Sequence, residues 1–195
     1  LLLSTKANID VRVIVAITGA SGAIYGIRTL EALREHGVET ELIISKTAQR
    51  ILELETGRKL EELKALANRF YFEDDMFAPP SSGSYPVDAM IVVPCSMRTL
   101  GCIAHGISDN LIRRAAEVAL KEGRKLILVP RETPLSQVHL ENMLLLKRAG
   151  AVILPACPAF YSRPKNVQDL VDFVVGKILE ALGITHSLYP RWEGE

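Results

Sequence analysis

Val13-Ile14-Val15-Ala16-Ile17-Thr18-Gly19-Ala20-Ser21-Gly22-Ala23-Ile24-Tyr25-Gly26 decides the fold class of this chain. The apolar, β-branched run over 11–17 reads as a buried strand, and it stops at a Gly/Ser turn. From Gly22 to His36 the apolar spacing becomes helical. A strand, a glycine turn and a helix start make an anion site, because free backbone N–H groups and the positive end of the helix dipole converge there. Glycine also lets a ligand approach the backbone closely. The stretch therefore predicts a phosphate-bearing cofactor on a doubly wound α/β fold. Its spacing, Gly19-x-x-Gly22-x-x-x-Gly26, is not the G-x-G-x-x-G of dinucleotide folds, and it lacks one residue of the G-x-S-x-G nucleophile elbow. A tight turn without a ligand is the plain alternative.

Outward from this stretch, strand and helix signals alternate. Strands are expected over 11–17, 39–44, 88–94, 125–129 and 151–154, and helices over 22–36, 46–67 with a break at Gly57, 97–122, 135–148 and 166–182. Parallel strands joined by right-handed helical crossovers give a three-layer α/β/α sandwich with a doubly wound, mostly parallel sheet, flavodoxin- or Rossmann-like. The 195 residues suit one flavoprotein domain, 1–195, with no repeat and no linker. Segments 73–87 and 155–165 are dense in turn residues and read as functional loops.

Composition narrows the function. Lys plus Arg and Asp plus Glu both number 23, so the basic excess of a nucleic-acid or acidic-membrane binder is missing. Cys95, Cys102 and Cys157 form no C-x-x-C pair, which argues against a disulfide framework and for a reducing compartment. Cys102-x-x-His105 supplies two ligands, and two ligands do not make a zinc site, so no metal is expected. Leu1-Leu2-Leu3 is too short for a signal sequence, and no apolar run reaches membrane-spanning length. A cytoplasmic protein without membrane contact is the expectation.

In open α/β sheets ligands lie beyond the carboxyl ends of the strands. The first exit carries Thr18-Gly19-Ala20-Ser21, the second Ser45-Lys46, the third Pro94-Cys95-Ser96-Met97-Arg98-Thr99, and the fourth Pro130-Arg131-Glu132-Thr133. Ser45-Lys46 replaces the acidic residue that dinucleotide enzymes place on the adenine ribose, and suits a mononucleotide better. Ser21 and Ser96 are either ligand contacts or ordinary helix caps. Arg114 and Lys121 lie seven residues apart, two helical turns, and share a face suited to an anion; Arg113 and Arg124 read as solvated neighbours. Tyr161-x-x-x-Lys165 matches the pair of short-chain dehydrogenases, but Pro158 and Pro164 prevent the continuous helix that pair requires.

With these residues assembled, the chain resembles the flavin prenyltransferase family (UbiX-type) from Val11 to Trp192. The resemblance rests on Thr18–Ala23, Ile44–Lys46, Ala78–Ser84, Pro94–Thr99, Asp109–Ala115, Leu128–Pro134, His139–Met143 and Pro190–Trp192. It implies a homo-oligomeric enzyme, often a dodecamer, that binds reduced FMN. Such enzymes transfer a dimethylallyl group from dimethylallyl monophosphate to flavin N5 and close a ring at C6. The prenylated FMN serves a client UbiD-type decarboxylase, and no metal is required.

By the same resemblance Gly19, Ala20, Ser21, Ser45, Ser96, Met97, Arg98, Thr99 and Arg131 are the FMN contacts. Ser82, Arg114, Lys121, Tyr161, Lys177 and Trp192 form the substrate site, and Ser21, Glu55, Glu132 and Lys121 are the catalytic groups. Met76 stands where some relatives have Trp, and Lys177 where some have Arg. Two other readings stay open: a flavin-dependent cysteine decarboxylase, whose Pro-x-Met-Asn-x-x-Met-Trp segment is missing here, and a non-catalytic flavin-binding subunit of a decarboxylase.

Overall fold

A computed structural model describes residues 11–192 and 194. Six strands form one sheet: β1 (Arg12–Ile17), β2 (Glu39–Ile44), β3 (Arg69–Phe72), β4 (Ala89–Cys95), β5 (Lys125–Pro130) and β6 (Val152–Ile153). Their order is β3-β2-β1-β4-β5-β6, and every pair is parallel. This is the Rossmann order, whose winding reverses between β1 and β4 and leaves a crevice beyond their carboxyl ends. β1 and β4 are buried along nearly their whole length, as expected of parallel strands covered on both faces.

The helices are α1 (Ala23–Glu35), α2 (Lys46–Thr56), α3 (Leu60–Lys64), α4 (Met97–Ala104), α5 (Leu111–Lys121), α6 (Gln137–Arg148) and α7 (Val167–Leu182). Alternate strand residues divide the core in two. Val13, Val15, Ile17 and Ile91 pack against α1, α2, α3 and α7. Ile14, Ala16, Met90 and Val92 pack against α4, α5 and α6 on the other face. Among the described residues no helix is long and apolar enough to cross a membrane.

Two elements differ from expectation. The helix expected over 97–122 is two helices, α4 and α5. Gly106 takes a left-handed φ of 67° after α4, and Ile107 N–H closes the end by donating to Cys102 O at 2.9 Å. Asn110 then caps α5, accepting from Arg113 N–H at 3.0 Å. The sheet also gains β3, an exposed edge strand after the leucine-rich α3. Lys64 lies 4.7 Å from the Phe70 ring centre there, a charge on an edge that would otherwise be open to pairing.

Candidate active site

Residues at the β1 and β4 exits are bound to one another. The buried Thr18 hydroxyl donates to Pro94 O at 2.8 Å and accepts from Ser96 N–H at 2.8 Å, closing the base of the crevice. The sequence places Thr18 at the first strand exit but shows no role for it; its only signal is its place between the last strand residue and the first glycine. On the other flank Ser45 N–H donates to Ile17 O at 3.1 Å.

The serines of these exits do different things. Ser45 and Ser96 are caps, accepting from Ala48 N–H at 3.1 Å and Thr99 N–H at 3.2 Å. Ser21 is not a cap. That position belongs to Gly22, whose φ of 103° excludes an ordinary side chain. Ser21 is exposed and its hydroxyl lies near the Glu55 carboxylate, while its carbonyl accepts from Arg131 Nε at 3.0 Å.

Glu55 changes the reading of the α1 N-terminus. Its Oε2 accepts from the N–H groups of Gly22 at 2.9 Å and Ala23 at 3.0 Å. The anion held by this glycine turn is therefore the chain's own carboxylate, where the sequence pointed to a cofactor phosphate. Partial burial works to raise the Glu55 carboxyl, but the neighbouring Ser21 hydroxyl, the hydrogen bonds from Gly22 and Ala23 N–H and the nearby Arg131 hold it below its ordinary range. The start of α2 is filled in the same way: Glu73, unremarked in the sequence, accepts from Lys46 N–H and from Asn110 Nδ2, each at 2.7 Å. Lys46 itself pairs with Asp74 at 3.1 Å.

The start of α4 is different. The N–H groups of Met97 and Arg98 have no protein partner among the described residues, and Arg98 is exposed. With the Ser96 and Thr99 hydroxyls, 3.0 Å apart, this is the open anion-accepting end of the crevice. Gly19 lines the crevice closely, since a Cβ there would lie 2.7 Å from Thr47 Cγ2. A hollow of 290 Å³ beside the β5 exit is bordered by Arg131, Glu132, Met143 and Cys157. A larger one, 510 Å³, runs along the outer side of α2 past Lys46 and Thr47. The smaller hollow adjoins Arg131 and hence Ser21.

A family model described as Flavoprotein matches residues 3–179. The flavin prenyltransferase UbiX of Methanocaldococcus jannaschii is 52% identical over 181 residues, 93% of this chain and 98% of that protein. The chain belongs to the UbiX family of flavin prenyltransferases. Solved structures agree. A UbiX protein in complex with FMN and dimethylallyl pyrophosphate has a TM-score of 0.93 at 49% identity, covering 95% of this chain and 98% of its own. A dodecameric FMN-dependent UbiX-like decarboxylase from Escherichia coli O157:H7 has a TM-score of 0.91 at 50% identity, covering 94% and 100%.

In this family member the remaining expected residues fall into two further groups. Ser82, Arg114 and Lys121 come together: Arg114 Nε donates to Ser81 O at 3.0 Å, and a Cβ at Gly83 would lie 2.7 Å from Lys121 Nζ. Gly83 shortly precedes β4 and Lys121 shortly precedes β5, so this group sits at the amino edge of the sheet, opposite the crevice. Tyr161 and Trp192 form the third group, ring centres 5.7 Å apart, alongside α7. Lys177 on α7 pairs with Glu180 at 2.5 Å, and Glu180 also accepts from Tyr189. No hydrogen bond, ion pair or ring contact among the described residues joins these groups to Ser21 and Glu55 within one chain.

Two cations read as solvated neighbours are not. Arg113 is buried and pairs with Asp109, and Arg124 donates to Gly83 O at 2.6 Å. The segment around Tyr161 is irregular, as its prolines require, which removes the dehydrogenase pair.

Proposed function

We propose that this chain is a flavin prenyltransferase that moves the dimethylallyl group of dimethylallyl monophosphate onto N5 and C6 of reduced FMN, without a metal. The observation that carries the reading is the Ser21–Glu55 pair, held on the first turn of α1 below Arg131. About half of the chain is identical to curated prenyltransferases, which favours this over a cysteine decarboxylase or a non-catalytic subunit.

The residues present fit FMN through the chemistry of the donor set. The open N–H groups of Met97 and Arg98, with Ser96 and Thr99, would hold its phosphate, and Gly19, Ala20, Ser45 and Arg131 would line the rest of the cofactor. When bound, reduced FMN supplies the electron-rich N5 and C6 that accept the prenyl carbon. Ser21 and Glu55 hold and move a proton at the crevice floor, and Glu132 serves as a second proton carrier at the β5 exit. Lys121, Arg114, Ser82, Tyr161 and Lys177 stabilise the leaving phosphate with charge and hydrogen bonds, while Trp192 shields the allyl chain from water.

The separation of these groups within one chain supports a further step of the same reading: the full site is assembled from neighbouring copies. A homo-oligomer, a dodecamer like the E. coli relative, brings the amino-edge group of one copy to the crevice of another. The client of the product is a UbiD-type decarboxylase, and the protein acts in the cytoplasm.

Anaerobic incubation with reduced FMN and dimethylallyl monophosphate tests the activity. A new flavin adduct by mass spectrometry and equimolar phosphate release are expected; no adduct overturns the reading. The pyrophosphate run in parallel separates the donors. Mixing Glu55→Gln copies with Lys121→Ala copies tests assembly: a shared site regains part of the lost turnover, and a site within one chain regains none.

A further inference from the structure

Ser82 lies on a short turn that is held from three sides. Arg114 Nε donates to Ser81 O at 3.0 Å, and Arg124 Nη2 donates to Gly83 O at 2.6 Å. Two guanidinium groups thus fix the carbonyls on either side of Ser82. Tyr85 provides the third hold, its phenol donating to Glu41 on β2, which is 0% exposed. Arg12 Nε and Arg69 Nη1 flank that carboxylate at 3.7 Å each, and Arg12 Nη1 also donates to Pro86 O at 3.3 Å.

A carboxylate buried in the sheet is costly unless it is paired. Here it ties a surface turn to the strands. Burial, with Glu41 beside it, pushes the Tyr85 phenol up to about 12, so it stays protonated and keeps donating. Inside the turn, Tyr85 N–H donates to Ser82 O at 3.2 Å and the Ser82 and Ser84 hydroxyls are 2.9 Å apart. Lys121 and Glu122 press against Gly83, where a Cβ would force them apart.

We infer that Tyr85 and Arg124 are positioning residues of the prenyl-phosphate site, fixing the 81–85 turn so that Ser82 and the adjacent Lys121 ammonium keep a set spacing. The inference rests on the prenyl-transfer reading above, and it concerns two side chains that touch no reacting atom. A preorganised seat binds phosphate more tightly than a loose turn that must be ordered at the moment of binding.

The test uses Tyr85→Phe, which changes no charge, and Arg124→Gln, each alone and in a Ser82→Ala background. Each single change is expected to raise KM for dimethylallyl monophosphate roughly ten-fold, with kcat and FMN affinity within about two-fold of the parent. In the Ser82→Ala background the same changes are expected to add less than about two-fold, because they act through Ser82. Arg124→Lys should recover part of the loss. An unshifted KM, or the same rise with Ser82 already removed, overturns the inference. Amide hydrogen exchange on the ligand-free protein gives a readout independent of turnover: exchange at residues 82–85 should quicken in both variants, and unchanged exchange refutes the positioning role. A parent protein that forms no adduct would instead refute the prenyl-transfer reading, so the two failures are distinct.

Discussion

Ser21 and Glu55, thirty-four residues apart, meet over the first turn of α1, where one carboxylate oxygen takes the N–H groups of Gly22 at 2.9 Å and Ala23 at 3.0 Å. This arrangement uses the helix N-terminus to keep a carboxylate ionised next to a hydroxyl. An ionised Glu55 is the form able to take up a proton, as the proposed reaction requires.

Its depressed pKa also makes Glu55 a source of pH-dependent stability. A carboxyl whose folded pKa lies below its unfolded value stabilises the fold above that unfolded value, about 4.3, and loses the contribution as pH falls through the folded one. Glu55→Gln should therefore lower unfolding stability at neutral pH by about 0.5 kcal/mol, a helix-terminus charge effect reduced by its exposure. The difference from the parent should shrink toward zero in denaturant titrations run below about pH 4. A difference independent of pH would show that the carboxylate's charge does nothing there. Prenyl transfer in this variant should fall far more than stability.

Thr18 is the second place where local chemistry holds the crevice. Its buried hydroxyl serves both Pro94 O and Ser96 N–H at 2.8 Å, so Thr18→Val leaves a buried donor unpaired and a carbonyl short of one partner. A loss of about 2 kcal/mol is expected in equilibrium unfolding. FMN affinity should fall with it, because Ser96 and the start of α4 lose their tether to β1. Thr18→Ser keeps the hydroxyl and should restore the affinity; failure to do so would assign the effect to lost methyl packing.

The sequence made much of this legible, for identifiable reasons. Val13–Ile17 and Leu126–Val129 read as buried strands because parallel strands covered on both faces are apolar throughout. Since ligands gather at strand exits, Ser21, Ser45, Ser96 and Arg131 could be named together. Arg69–Phe72 escaped because a four-residue edge strand has no buried face to impose a pattern. The break between α4 and α5 had its signals, Gly106 and Asn110, but the apolar spacing on both sides concealed them. Glu55 entered through family resemblance alone. Nothing near it in the chain announces that it returns to cap a turn more than thirty residues earlier. The placement of Lys121 and Ser21 at opposite edges of the sheet was equally hidden, since spacing along a helix does not show which edge its end reaches.

Gly176 offers a test of the third group of site residues. It lies in the middle of α7, where a Cβ would sit 2.6 Å from His186 Cε1 and closer still to the Tyr189 ring. The glycine therefore exists for contact: it lets the segment after α7 fold back, with Tyr189 donating to Glu180 and Trp192 reaching Tyr161 at 5.7 Å. Gly176→Ala improves helix propensity by up to about 1 kcal/mol. Overpacking against two rings costs more, so a net loss of about 1–2 kcal/mol is expected. The chain has a single Trp, so the consequence for the site can be read directly. Displacement of Tyr189 should release Trp192 from Tyr161, raising its accessibility to acrylamide quenching in the ligand-free protein and raising KM for the prenyl donor. Quenching and KM that both match the parent would show that the close contact at Gly176 does not set the place of Trp192.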